Sequence, residues 1–253
     1  MEPLDGAGDA MLSQAVQAAL QAGHARVRLL QLPDGRRFWL KEVERLSGRL
    51  RLQKGDPSVS FTRELKGLQQ MQAMDLPVAR LALQGPGWFV LEDAGPALVA
   101  LIQATDVSLA EKLGAMRAAG AALAKLHAAG QVHGRPAVRD MCWDGAQLRF
   151  IDLERFGPGR RGGYRQAMDL MIMAQSAFVR WPEAPEWIEA AFAGYRAAGG
   201  SVQVFQRMGR LAWILSPLGA LARGLLRLRR TSRELRAIAL VLPWLRREVK
   251  RLA

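Results

Sequence analysis

HGRPAVRDMCWDGAQLRFIDLER, at residues 133–155, is the stretch of sequence that decides the fold of this chain. Its apolar and aromatic residues predict a short β-hairpin, and Trp143 and Phe150 are two of them. His133, Asp140 and Asp152 are expected on the two loops that flank this hairpin. A carboxylate set among apolar residues, as Asp152 is, needs a partner or a metal ion, because burying it alone is costly. The stretch therefore predicts a polar site built on the hairpin.

The composition is that of a globular protein with a buried core. The chain has 253 residues, of which 50% are hydrophobic, so it is long enough for one large domain or two small lobes. The net charge is +13, and residues 205–253 carry twelve Arg or Lys against two Glu, a balance of +10. Such an excess indicates an anionic partner, which the sign alone leaves open between a lipid surface, a nucleic acid and a phosphorylated substrate.

The single cysteine, Cys142, excludes an intramolecular disulfide and fits a reducing compartment. Its place in a predicted strand favours a small buried hydrophobe over a nucleophile. The first residues, MEPLDGAGDAM, lack the basic and apolar regions of a secretory signal. The most apolar stretch, at residues 211–222, is interrupted by Pro217, so a membrane-spanning helix is not expected.

The order of the predicted elements divides the chain into two lobes. Strand patterns and turns dominate up to about residue 92, and helical patterns dominate after it. The predicted elements are a helix at 11–22, a hairpin at 26–43, a loop at 44–60, a helix at 61–74, a β region at 78–91, a linker at 92–96, a helix at 109–129 and helices after 163. A cleft between two lobes is a favoured ligand site.

Four charged residues follow one another in the order that phosphoryl transfer needs. That reaction requires a Lys on a strand for the nucleotide phosphates, a Glu on the next helix to orient it, and two oxygen ligands for a metal ion. Lys41, Glu64, Asp140 and Asp152 occur in this order on elements of the predicted types. Taken singly, Lys41 also fits an edge or surface position of a strand. Glu64 also fits a first helical turn, where a carboxylate interacts favourably with the helix dipole. Together they indicate a phosphotransfer site.

Several motifs carry a resemblance to a known superfamily. His133-Gly134 with Asp140 seven residues after the His, Trp143-Asp144-Gly145 and Phe150-Ile151-Asp152-Leu153-Glu154 resemble the catalytic segment of protein-kinase-like enzymes. The resemblance is to the branch that contains aminoglycoside phosphotransferases and lipopolysaccharide-core or Kdo kinases. It extends to Trp39-Leu40-Lys41, Arg63-Glu64 and Leu91-Glu92-Asp93-Ala94-Gly95, and covers roughly residues 26–180.

The resemblance implies a role for each matching residue. Lys41 would contact the α- and β-phosphates of ATP and pair with Glu64. Residues 91–93, which include Glu92 and Asp93, would meet the adenine through backbone groups. Asp140, at a position where the family usually has Asn, and Asp152 would bind Mg²⁺.

The resemblance also assigns residues to the catalytic loop. His133 would brace this loop, and Asp169 resembles the buried aspartate that anchors it, although a solvated helix position is an equal alternative for Asp169. Arg135 departs from the family, which has its catalytic aspartate at this position, and Arg cannot act as a base because it stays protonated. Asp140 takes over that task, or metal and substrate suffice for alignment, or the protein is a pseudokinase. An Arg here could also bind an anionic acceptor. A glycine-rich loop before Lys41 is absent from the sequence.

Residues 205–253 combine the arginines with Trp213, Trp244 and many Leu and Ile. Apolar faces with basic flanks and tryptophans are typical of helices that lie in a membrane interface. The same pattern also fits helices that complete the core and leave their arginines in water. Nucleic-acid binding is disfavoured, because the segment is too apolar and has no recognised motif.

Together these observations predict an α+β, bilobal protein-kinase-like fold with a β-rich lobe at 1–92, a helical catalytic lobe at 93–204 and a basic helical extension at 205–253. The predicted function is transfer of the ATP γ-phosphate, with Mg²⁺, to a sugar hydroxyl of an anionic lipid-linked glycan such as lipopolysaccharide core. The alternative is a catalytically inactive pseudokinase that acts as a membrane-associated binding or scaffold protein. The expected location is the cytoplasm, with peripheral contact to the anionic inner face of the inner membrane.

Overall fold

A computed structural model of the chain describes residues 6–44, 56–229 and 231–252. In these ranges a small antiparallel sheet with two helices precedes a larger, mainly helical part. The first part consists of α1 (Gly6–Gln21), β1 (Val27–Gln31), β2 (Arg37–Glu42), α2 (Pro57–Ala73), β3 (Leu81–Gly85) and β4 (Trp88–Glu92). The prediction of an α+β chain with a small β-rich lobe and a helical lobe is therefore confirmed.

The second part begins after the linker that follows β4. Its helices are α3 (Leu98–Gln103), α4 (Leu109–Ala128), α5 (Tyr164–Arg180), α6 (Glu186–Ala197), α7 (Val202–Ile214), α8 (Ser216–Leu225) and α9 (Arg233–Leu252). Its short strands are β5 (Gln131–Val132), β6 (Met141–Trp143), β7 (Leu148–Phe150) and β8 (Gly157–Pro158). A single 3₁₀ turn, Val138–Asp140, leads into β6.

The sheet of the first lobe has the order β1-β2-β4-β3, with each neighbouring pair antiparallel. Side chains alternate across β2, because successive residues of a strand point to opposite faces. Phe38 and Leu40 are buried against Leu12 and Val16 of α1 in a small core of their own. Lys41 consequently lies on the opposite face of the sheet, where it lines the cavity between the lobes.

Helix α2 begins at Pro57, although the sequence analysis predicted a loop up to residue 60. The Asp56 side chain accepts a hydrogen bond from the Ser58 backbone N–H at 3.0 Å, and Pro57 fits the first helical turn. This cap satisfies an N–H that would otherwise lack a partner, so the helix starts earlier. Residues 45–55 of the predicted loop lie outside the described residues.

Two glycines allow the helices of the second lobe to approach closely. A Cβ added to Gly120 of α4 would lie 1.7 Å from the Ala191 carbonyl oxygen of α6. A Cβ on Gly194 of α6 would lie 2.0 Å from the Arg117 carbonyl oxygen of α4. The two backbones touch at these points. Buried residues of α4 and of the β6–β7 hairpin belong to the same core cluster.

The basic segment after residue 205 takes part in the main core. Val241, Trp244 and Leu245 of α9 are buried, and the Trp244 ring lies 5.4 Å from that of Phe178 between centroids. The predicted boundary at residues 204 and 205 falls inside α7. Among the described residues, no helix has both the length and the apolar character needed to span a bilayer.

Candidate functional site

A cavity of about 570 Å³ lies between the sheet of the first lobe and the β6–β7 hairpin of the second. Its walls come from β1, β2, α2, β4, the linker after β4, β6 and the segment after β7. Six of the residues proposed from the sequence line it: Lys41, Glu64, Glu92, Asp93, Asp140 and Asp152. Lys41 and Asp152, which are 111 positions apart in the chain, thus line the same cavity.

Lys41 and Glu64 form an ion pair on one wall of this cavity. The Lys41 Nζ atom donates a short hydrogen bond to Glu64 Oε2, and the Glu64 side chain is only 2% exposed. Burial raises the pKa of the Glu64 carboxyl, and the adjacent Lys41 ammonium opposes that rise. The strand therefore presents a positive charge whose direction is fixed by a carboxylate on α2.

Asp140 and Asp152 each keep one carboxylate oxygen without a partner. Asp140 Oδ2 and Asp152 Oδ1 are both buried and accept no hydrogen bond from the described residues. Burial, reinforced by the charge of Asp152, raises the pKa of Asp140 to about 6. Buried carboxylate oxygens without donors are costly unless a cation meets them, so this pair fits Mg²⁺, which prefers oxygen ligands.

The other oxygens of these two carboxylates face arginines. Arg135 Nη2 donates to Asp152 Oδ2 at 2.5 Å, and Arg139 Nε lies 3.5 Å from Asp140 Oδ1. Asp152 also adopts a left-handed backbone conformation, with φ of +62°. This conformation is strained for a non-glycine residue. Arg135 is thus an ion-pair partner of a candidate metal ligand.

Glu154 is a site residue to which the sequence analysis gave no role. One carboxylate oxygen from each of Glu64, Asp152 and Glu154 lies within 4.8 Å of the others. Arg26 Nη2 approaches Glu154 Oε1 at 3.8 Å. The acidic residue two positions after Asp152 was visible in the sequence. The backbone between the two is not an extended strand, since Asp152 is left-handed and Glu154 lies in a turn, so alternation along a strand does not predict that their side chains meet.

Asp169 holds the loop that carries Arg135. Its carboxylate accepts hydrogen bonds from the backbone N–H groups of His133 and Gly134, each at 2.9 Å, and lies 3.1 Å from His127 Nε2. Asp169 is 1% exposed, so the alternative of a solvated helix residue is excluded. Gly134 is required here, because a Cβ would lie 2.0 Å from the Arg155 carbonyl oxygen and its φ is +86°.

His133 is fully buried and braces the same loop. Burial lowers the pKa of His133, which keeps the ring neutral. The Nε2 atom lies 3.1 Å from the Ile151 carbonyl oxygen, and the Arg135 backbone N–H donates to Nδ1 at 3.4 Å. Both ring nitrogens are therefore engaged. The contacts give His133 a positioning role between the two loops, and they do not place it among residues that could touch a reacting atom.

The backbone N–H groups of Glu92 and Asp93, at the end of β4 and the start of the linker, have partners within the protein. The backbone N–H of Glu92 donates to the Arg80 carbonyl at 2.9 Å, and that of Asp93 donates to the Arg37 carbonyl at 3.0 Å. The Asp93 carboxylate accepts from Trp39 Nε1 at 3.0 Å and pairs with Arg37. The predicted adenine contacts through backbone groups of residues 91–93 stay a prediction, and any of them made by these two N–H groups would have to replace the hydrogen bonds described here.

A two-lobed chain with this sheet, this hairpin and this cavity has a protein-kinase-like fold, and comparison with solved structures supports that assignment. The chain resembles the crystal structure of an aminoglycoside-3'-phosphotransferase of type VIII, with a TM-score of 0.53, 14% identity and coverage of 93% of this chain and 99% of that one. It also resembles an aminoglycoside phosphotransferase from Alicyclobacillus acidocaldarius, with a TM-score of 0.52, 13% identity and coverage of 99% and 98%. At these identities the likeness establishes the fold alone.

Sequence comparison adds one relative. An uncharacterised protein of Haemophilus influenzae is 32% identical over 143 residues, which are 56% of this chain and 59% of that protein. The chain thus matches less than two thirds of that relative's length. No family model matches the sequence. The predicted lipopolysaccharide-kinase branch has no support from these comparisons and stays a prediction.

Proposed function

We propose that this protein is a kinase-like phosphotransferase that moves the γ-phosphate of ATP to a sugar hydroxyl of a lipid-linked glycan. One observation carries the proposal. A single cavity contains the Lys41–Glu64 ion pair and the partnerless buried oxygens of Asp140 and Asp152. Phosphoryl transfer needs a fixed positive charge for the phosphates and oxygen ligands for Mg²⁺ in one place, and little else from the protein.

Each of these residues has a task in the proposed reaction. Lys41, oriented by Glu64, binds phosphate oxygens of the nucleotide, and Asp140 and Asp152 hold Mg²⁺. When bound, Mg²⁺ neutralises charge on the phosphates. The acceptor oxygen bonds to the γ-phosphorus, the bond to the ADP oxygen breaks, and the hydroxyl proton leaves. Asp140 is a candidate to receive it, because it is a carboxylate in the cavity wall.

The acceptor is proposed from charge. The chain carries a net charge of +13, of which +10 lies in residues 205–253, outside the cavity wall. Positive potential of this kind attracts an anionic acceptor and repels a cationic one, so an anionic glycan fits better than an aminoglycoside. Lipopolysaccharide core is the predicted example. ATP as the donor and a lipid-linked acceptor together favour the cytoplasmic face of the inner membrane, with peripheral contact to its anionic lipids.

A second candidate function is non-catalytic binding by a pseudokinase, and the position of Arg135 favours it. Arg135 stands where a catalytic aspartate is expected and engages one oxygen of Asp152. A guanidinium cannot accept a proton from the acceptor, and its positive charge competes with a divalent cation for Asp152. In this case the cavity would bind a nucleotide, or a partner, without phosphoryl transfer.

The deciding experiment measures binding of a fluorescent ATP analogue by the full chain, with Mg²⁺ and with a chelator. Asp152→Asn tests the site, and Asp106→Asn is the matched control, since Asp106 is an exposed carboxylate outside the cavity. The proposed enzyme binds the analogue more tightly with Mg²⁺, and Asp152→Asn removes the Mg²⁺ effect while the control keeps it.

Phosphate transfer from radiolabelled ATP to purified lipopolysaccharide core separates the two candidates. Transfer that disappears in Asp152→Asn supports the enzyme. Nucleotide binding without transfer to any glycan favours the pseudokinase, and absence of nucleotide binding in the unmodified chain contradicts both nucleotide-based functions.

A further inference from the structure

The end of α7, helix α8 and the turn after it expose a set of large apolar side chains. We call this set the α8 patch: Trp213, Ile214, Leu218, Leu221, Leu225 and Leu228, which are exposed by 65%, 59%, 51%, 58%, 38% and 83%. Single exposed hydrophobics are common on soluble proteins and need no explanation. Six within sixteen consecutive residues, 213–228, are a cluster that indicates a binding surface.

The patch is a second apolar face of a helix whose first face is already packed. Ala222 is 3% exposed, and a Cβ on Gly219 would lie 3.5 Å from the Leu242 Cδ1 atom of α9. Leu218, Leu221 and Leu225 are spaced i, i+3 and i+7 and therefore share the other side of α8. The small residues hold the helix on the protein, and the leucines remain in solvent. These leucines are not part of the buried core.

The charge around the patch is positive and unpaired. Arg210 shares a helical face with Trp213 and Ile214 through i, i+3 and i+4 spacing, and Arg227 and Arg229 flank Leu228. In the described part of α7, α8 and α9, the only ion pair is Arg251 with Glu248, at 3.4 Å. Ion pairs among the described residues therefore leave most of the balance of +10 over residues 205–253 in place. An anionic surface would complement it.

We infer that the α8 patch docks this protein onto an anionic lipid bilayer, with the leucines and Trp213 in the interface and the arginines at the head groups. Apolar area and basic charge on one short segment are the two contributions that interfacial binding needs. A nucleic acid would match the charge but not the apolar centre. A second copy of the chain would match the apolar surface but meet another positive surface, which opposes association.

This inference assigns the peripheral membrane contact proposed above to the α8 patch. The sequence pattern did not distinguish α8 from α9 as the helix with a membrane face. Trp244 and Leu245 of α9 are buried in the core, so α9 cannot offer them to lipid without unfolding. Leu228 and Trp213 are the most exposed large apolar residues of the whole described chain. The inference does not depend on phosphotransfer, because none of the patch residues lines the cavity.

Vesicle flotation of the full chain tests the inference. The vesicles consist of phosphatidylcholine alone or of phosphatidylcholine mixed with phosphatidylglycerol. The double variant Leu221→Glu, Leu228→Glu is compared with Leu109→Glu, whose leucine is 61% exposed on α4, away from the patch. We expect the unmodified chain and the control to float with the anionic vesicles, and the double variant to bind at least about tenfold more weakly.

A second pair of variants tests the charge. Arg210→Glu with Arg229→Glu should also weaken binding to the anionic vesicles by about tenfold or more, because each basic residue near the surface contributes on the order of 1 kcal/mol. Arg196→Glu, an exposed arginine of α6, should leave binding unchanged. Thermal melting of every variant verifies that the fold is intact.

Brominated lipids provide the readout for insertion. They should quench tryptophan fluorescence of the unmodified chain and quench it less in Trp213→Phe. The inference is overturned if the unmodified chain does not float, if the patch variant floats like Leu109→Glu, or if vesicles bind without any quenching from Trp213. A failure of nucleotide binding leaves these results intact and contradicts only the proposed function.

Discussion

Replacing Asp140 by Asn is expected to stabilise the chain, by an amount that grows with pH. The Asp140 side chain is 9% exposed, and its Oδ2 atom accepts no hydrogen bond from the described residues. Burial and the charge of Asp152 raise its pKa from 3.8 to about 6. Because each unit of pKa difference corresponds to about 1.4 kcal/mol, the folded state carries a cost of roughly 3 kcal/mol once this carboxyl is ionised.

The sign of the pH dependence follows from the direction of this shift. The pKa of the folded state lies above that of the unfolded state, so the folded chain binds the proton more tightly. The stabilising contribution of protonation is complete below the unfolded pKa of 3.8 and is lost as the pH rises through about 6. Asn cannot ionise, so the variant avoids the cost that appears above that range.

Urea unfolding of both proteins, in the absence of divalent cations, provides the measurement. The difference in free energy of unfolding should be smallest near the unfolded pKa and should approach roughly 3 kcal/mol in favour of Asp140→Asn at about two pH units above 6. Adding Mg²⁺ at the higher pH should stabilise the unmodified chain more than the variant. A difference that stays the same at every pH would refute the account of Asp140.

Three further predictions concern the loop, the helix packing and Arg135. Asp169→Ala removes the acceptor of two buried N–H groups. The free energy of unfolding should therefore fall by about 2–4 kcal/mol in urea titration. A loss below about 1 kcal/mol would contradict the anchoring role. Gly120→Ala should destabilise by at least about 2 kcal/mol, because its Cβ would meet the α6 backbone, whereas Gly114→Ala, with open space around it, should be neutral or stabilising in the same assay. Arg135→Asp should raise the affinity for Mn²⁺ about tenfold in isothermal titration, because it frees Asp152 and adds a ligand; an unchanged affinity would show that the ion pair does not limit metal binding.

Local patterns predicted the parts of the fold that depend on near neighbours. Lys41 lies inside the second strand of the predicted hairpin, and the hairpin turn at Pro33 to Gly35 lies where turn chemistry put it. The start of α2 was missed, although the capping residues Asp56 and Pro57 were visible in the sequence. That error came from treating glycine and proline as loop markers where the proline opens a helix.

The sequence by itself determined the two-lobed α+β architecture and the order of Lys41, Glu64, Asp140 and Asp152, because strand and helix periodicities are local and place side chains on faces. Only the tertiary structure decided which partners these side chains meet. Arg135 and Asp152 are separated by 17 positions, and His133 and Asp169 by 36.

The same division holds for the basic segment. Its composition indicated amphipathic helices, and it left a core face and a membrane face equally open. The packing of Trp244 against Phe178 assigns α9 to the core and leaves the α8 leucines exposed. Periodicity shows that a helix has an apolar face, but the neighbour that covers this face comes from distant parts of the chain, so only the folded structure decides whether protein or another surface meets it.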